Sequence, residues 1–156
     1  MGKERNGEKN SVENLLENLL IHYVSNTDVF LQGVTVSEDI DKILLIDGQQ
    51  RTTCLYLLLK WLGYNEKFAI RYEVREEADK FLQSNFLQGY EENDNEEYQD
   101  IYYFKKTLRI IKNKFSTFDE EKKRDFLHFL LHKIKFLYVI VPEQQATQIF
   151  AMMNGN

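Results

Sequence analysis

Apolar residues at Val12, Leu15, Leu16, Leu19, Leu20 and Tyr23 recur at three-and-four spacing, the pattern of one helix face, and Ser11 ahead of them suits a cap. The period then shortens. Residues 29–36 read as a strand, residues 37–41 as its turn and residues 42–46 as an antiparallel return strand. That return strand stops at a dense polar cluster, Asp47-Gly48-Gln49-Gln50-Arg51-Thr52-Thr53, beyond which residues 54–62 are leucine-rich and end at Gly63. Gly48 breaks the strand, so the pattern predicts strand, turn and helix, with the helix starting near Gln50 or Arg51.

Downstream, residues 68–74 alternate apolar and polar side chains and are expected as a third strand, with a short helix through residues 78–81. Residues 84–100 are polar and contain a glycine, which predicts a loop or a helix with a mobile end. Ile101, Phe104, Leu108, Ile111 and Phe115 then mark the stripe of a long helix. A second helix over residues 119–133 turns Phe126, Phe129, Leu130 and Ile134 inward. Residues 136–141 read as a buried strand, and Pro142 suits the first turn of a last helix ending at Asn154-Gly155. Without repeats or low-complexity linkers, the expectation is an α+β fold: a small mixed sheet with packed helices and a helical C-terminal part. Residues 1–10 are expected as a flexible N-terminal segment and residues 11–156 as one domain.

Composition narrows the class. A chain of 156 residues can bury roughly 68–70% of the surface it exposes unfolded, and 43% hydrophobic with 13% aromatic residues excludes general disorder. The net charge of −5 argues against nucleic-acid binding through an overall positive field. Glu91, Glu92, Asp94, Glu96, Glu97 and Asp100 lack the spacing of a calcium loop and read as solvated. The cations that follow, Lys105, Lys106, Arg109, Lys112 and Lys114, read first as a solvated helix face. With Tyr98, Tyr102 and Tyr103 alongside, they would also suit a phosphate backbone and stacked bases.

Cys54, the single cysteine, has no disulfide partner and reads as a small buried hydrophobe. His128 and His132 stand four apart on a helix but lack an identifiable third metal ligand. Trp61 is expected in the core or against a partner. No secretory leader or membrane-length apolar run can be read, so a cytoplasmic location without membrane contact is expected.

The polar cluster carries the chemistry. Backbone N–H groups at a helix N-terminus are unpaired and partly positive, so they stabilise an anion. Gly48 lets the backbone turn left-handed and a ligand oxygen come close. Arg51 offers a planar fork of donors for phosphate. Gln49 or Gln50 could hold a phosphate oxygen while the other orients a water, Asp47 could bind Mg²⁺ or act as general base, and Thr52 and Thr53 could cap the helix or touch phosphate. The plain alternative is an Asp-Gly turn, a helix cap and a surface ion pair for Arg51. Walker A is excluded, since its lysine is missing.

The run Asp47-Gly48-Gln49-Gln50-Arg51, followed by Thr52-Thr53 and a leucine-rich helix, resembles the signature of the DGQQR-motif domain family (domain of unknown function 262). That domain is found in the S half of GmrSD-type modification-dependent restriction enzymes and in related bacterial phage-defence proteins. Phe30-Leu31-Gln32-Gly33 resembles the family's upstream strand, and Phe150-Ala151-Met152-Met153-Asn154 its second motif, so the likeness spans about residues 12–156. It implies a ParB/sulfiredoxin-like core and nucleoside triphosphate binding and hydrolysis. Residue by residue, it assigns Asp47, Gly48, Gln49, Gln50 and Arg51 to the nucleotide site with Mg²⁺, and Asn154 as a second contributor. The family's opening segment rich in Tyr, Gln, Arg, Pro and Trp is not recognisable in residues 1–10, and residues normally following the second motif are missing. A truncated member is therefore expected.

The resemblance also leaves a noncatalytic sensor of modified DNA or of a partner protein, and an inactive fragment, as competing readings. No nuclease cluster can be read, so nuclease activity is expected from another domain or subunit.

Overall fold

In the computed structural model, residues 11–38, 43–45, 48–65, 70–72, 75–92 and 98–140 are described. The first apolar stripe forms α1 (Ser11–Ser25), which buries Val12, Leu16 and Leu19. The hairpin forms as β1 (Val29–Glu38) and β2 (Ile43–Leu45), antiparallel, with Val36 opposite Leu45 and Glu38 opposite Ile43. Helix α2 (Gln49–Trp61) follows the polar cluster and ends at Leu62, with Gly63 beyond it at φ 95°. Then come α3 (Glu76–Gln83), a single 3₁₀ turn at Phe86–Gln88, α4 (Gln99–Lys114), α5 (Glu120–Lys133) and β3 (Ile134–Ile140).

The sheet is mixed, in the order β2-β1-β3. Strand β3 lies parallel to β1, with Val29 opposite Ile134 and Leu31 opposite Phe136. The register then slips: Val34 faces Tyr138, three steps along β1 against two along β3. An extra residue of this kind is a bulge, which bends a strand and raises its twist. Helix α5 runs into β3 without a connecting turn, since its C-cap, Ile134, is already extended.

The α+β expectation therefore holds, with one correction. Of the strand expected over residues 68–74, Ile70–Tyr72 is described and is not a strand. Its backbone is satisfied by side chains of α3: Tyr72 N–H donates to the Asp79 carboxylate at 2.8 Å, and Gln83 Nε2 donates to the Ile70 carbonyl at 2.8 Å. Local side-chain bonds have displaced the sheet ladder. Of residues 84–100, those at 86–88 form the 3₁₀ turn, where Phe86 is buried and stacks on Phe81 at 5.7 Å. The last expected helix, after Pro142, lies outside the described residues.

The core is centred on α2 and α4. Six consecutive residues of α2, Thr53 to Leu58, are buried, so this helix is enclosed on all sides rather than half exposed. Helix α4 packs against it and also contacts α1 and α3, presenting the expected stripe of Ile101, Phe104, Leu108 and Ile111, continued by Phe115. Phe126, Phe129 and Leu130 of α5 are buried as well, with Phe126 against Phe115 at 5.3 Å between ring centroids. Trp61 is partly buried on Phe115 at 6.0 Å, with Lys123 Nζ over its ring at 4.3 Å.

Candidate functional site

Helix α2 opens on Gly48, whose φ of 82° and ψ of 20° lie in the left-handed region, where a Cβ would clash with the backbone. The first intrahelical bond runs from Thr52 N–H to the Gly48 carbonyl at 3.0 Å. Helix geometry thus gives the preceding N–H groups no acceptor within α2. Gly48 has no side chain with which to cap this end, and the first turn of α2 itself holds no acid. Elsewhere acids complement the dipole: Glu13 in α1, Glu76, Glu77 and Asp79 in α3, Asp100 in α4, and Glu120 and Glu121 in α5. Helix α5 is also capped by Asp119, which accepts from Lys122 N–H at 2.8 Å.

Arg51 lies in that first turn, half-buried. Its Nε is shielded from solvent and has no hydrogen-bond partner, and among the described residues Arg51 forms no ion pair. A guanidinium N–H removed from water without an acceptor costs free energy. The surface ion pair of the plain reading is not seen among the described residues.

The neighbouring hydroxyls point into the protein. Thr53 is buried; its Oγ1 donates to the Gln49 carbonyl at 2.8 Å and lies 3.0 Å from the Tyr72 hydroxyl. The Tyr103 hydroxyl, on α4, donates to the Gln50 carbonyl at 3.0 Å. Burial, first among the causes, raises the pKa of both tyrosines, so both stay protonated donors well past neutrality. Tyr72 is held by Asp79, which also takes a forked bond from Arg71 at 2.9 and 2.7 Å. That guanidinium and the Tyr72 N–H keep the Asp79 carboxyl below its ordinary range.

Of the residues singled out from sequence, Gly48, Gln49, Gln50, Arg51, Thr52 and Thr53 therefore share one helix end, whereas Asp47 and Asn154 lie outside the described residues. Sequence reasoning missed Tyr72 and set Tyr103 among the surface tyrosines. In the structure Tyr98 and Tyr102 are exposed while Tyr103 turns toward α2. The available signal was its place beside Phe104, at the edge of the buried stripe. The cations of α4 are partly engaged: Lys114 meets Glu17 at 3.2 Å, and Arg109 lies 3.8 Å from Glu92. His132 Nδ1 lies 2.8 Å from the His128 carbonyl. A depression lined by Tyr23, Asp119, Glu121, Lys122, Arg124 and Asp125 borders no described residue of the motif.

No helix among the described residues is long and apolar enough to cross a membrane. The family model described as GmrSD restriction endonuclease, N-terminal domain, matches residues 8–156. Neither a curated protein nor a solved structure gives a match.

Proposed function

The chain belongs to the GmrSD restriction endonuclease N-terminal domain family, and from that premise we propose that it binds a nucleoside triphosphate at the start of α2 and hydrolyses it within a restriction or phage-defence system. One observation carries the reading: the solvent-shielded, unpartnered Nε of Arg51 in the first turn of a helix that opens on glycine. A triphosphate supplies the acceptor that this N–H lacks and suits the partial positive charge of a helix N-terminus.

In this reading Gly48 lets phosphate oxygens approach the backbone, and Arg51 neutralises charge developing on the transferred phosphoryl group. Gln49 or Gln50 orients the attacking water. The motif's donor set, one carboxylate with two amide oxygens, is all oxygen and suits Mg²⁺; Asp47 would hold the ion, which offsets phosphate charge when bound. Asn154 contributes from the second motif. All the assigned residues address phosphates, so the reading sets no base preference. The ParB-like core and the single domain over residues 11–156 belong to the same proposal.

Titrating Mg²⁺ with each nucleoside triphosphate against wild type and Arg51→Ala, while following binding and phosphate release, tests it. The expected result is saturable binding and phosphate release by wild type, with affinity lowered at least about tenfold in the variant, as for a lost charge-assisted bidentate contact. Binding without release would replace hydrolysis with a sensor role. Absence of binding by wild type would overturn the site.

A further inference from the structure

Two peptide groups in the first turn of α2 receive more hydrogen bonds than the helix supplies. The Gln49 and Gln50 carbonyls each accept a backbone N–H four residues on, as in any α-helix. Each also accepts a hydroxyl: Thr53 Oγ1 at 2.8 Å on Gln49, and the Tyr103 hydroxyl at 3.0 Å on Gln50. A threonine hydroxyl has one hydrogen, and here it is spent on the Gln49 carbonyl. The 3.0 Å contact between Thr53 and Tyr72 therefore has Tyr72 as donor. The result is a relay, from the Tyr72 hydroxyl to the Thr53 hydroxyl to the Gln49 carbonyl.

The other ends of those peptide groups matter. The Gln49 carbonyl shares its peptide plane with the Gln50 N–H, and the Gln50 carbonyl shares its plane with the Arg51 N–H. A donor on the oxygen of an amide polarises the whole group and makes its N–H more positive. Both N–H groups belong to the first turn of α2, which carries Arg51.

We propose that Tyr72 and Tyr103 are positioning residues that charge the anion-binding end of α2 from behind, Tyr103 through the Gln50 carbonyl and Tyr72 through Thr53. The proposal rests on the phosphate-binding reading given above and assigns that site two members outside the motif. Neither hydroxyl touches the anion; both raise the donor strength of the N–H groups that do. The arrangement also explains a buried threonine at position 53: a hydroxyl is required there to pass the polarisation on.

The test uses the full chain, inorganic tripolyphosphate with Mg²⁺ as probe, and the variants Tyr103→Phe and Tyr72→Phe, which keep the ring and remove one oxygen. Binding constants and the amide resonances of Gln50 and Arg51 are both read. Tyr103→Phe is expected to move the Arg51 amide upfield and Tyr72→Phe the Gln50 amide, each weakening the probe by about two- to fivefold, the range of a helix-end charge effect. A merely structural role would not move one chosen amide per variant. No binding by wild type overturns the anion site and this proposal with it. Binding that both variants leave unchanged, with unmoved amides, overturns the relay alone.

Discussion

Under the proposed reading, Arg51 should differ measurably from a residue that serves only the fold. Its Nε has given up water and gained no acceptor, a cost of about 1–3 kcal/mol for a buried donor. An apolar side chain of similar reach would avoid it. Arg51→Met is therefore expected to raise stability by about 1 kcal/mol without ligand, lifting the melting midpoint by roughly 2–4 °C, while losing triphosphate binding. Thermal unfolding with and without ligand checks this; a lower midpoint in the ligand-free variant would show that Arg51 serves the fold. The residue types of the candidate site were legible in the sequence, because a glycine at a left-handed turn and an arginine in a first helical turn each have a specific physical use. Their surroundings were not. Whether a guanidinium is buried, or which way Tyr103 turns, depends on the packing of α4 against α2, which local periodicity does not encode.

Among the elements, the hairpin, α2 and the α4 stripe followed from period alone. The parallel pairing of β1 with β3 did not, because it joins Val29 to Ile134 across most of the described chain, and no local signal fixes a register over that distance. Ile70–Tyr72 failed differently: its alternation was real, but acceptors and donors from α3 reached its backbone first. That bond makes a pH prediction. The native pKa of Asp79 is lowered, chiefly by its bonds to Arg71, so the ionised form stabilises the fold. The contribution is complete above the unfolded value near 3.8 and is lost as pH falls through the lowered native value. Asp79→Asn should cost about 1 kcal/mol near neutrality. Urea midpoints measured from pH 7 downward should show a constant difference to about pH 5 that closes in stronger acid. A difference that widened in acid would refute the assignment.

At the scale of the whole molecule, Cys54 reports on the enclosure of α2. It is 1% exposed, and burial pushes its thiol from 9.0 up to about 12. A raised native pKa means the unfolded chain ionises first, so the fold loses stability as pH rises from about 9 toward 12. Cys54→Val should flatten part of that alkaline slope, by at most the equivalent of one proton, in urea titrations from pH 8 to 11. Ellman's reagent at pH 8 should leave the native thiol unmodified until urea opens the chain; prompt modification would place Cys54 outside the core.

The same enclosure bears on how a ligand would arrive in the proposed reading. A helix wrapped by neighbours along six residues has no room to swing or slide, so its tip would act as a fixed socket rather than a jaw. Selectivity in such a socket would come from dimensions set when the chain folds, and a signal from the proposed site would leave through bond polarity or through segments flanking the tip, not through displacement of α2.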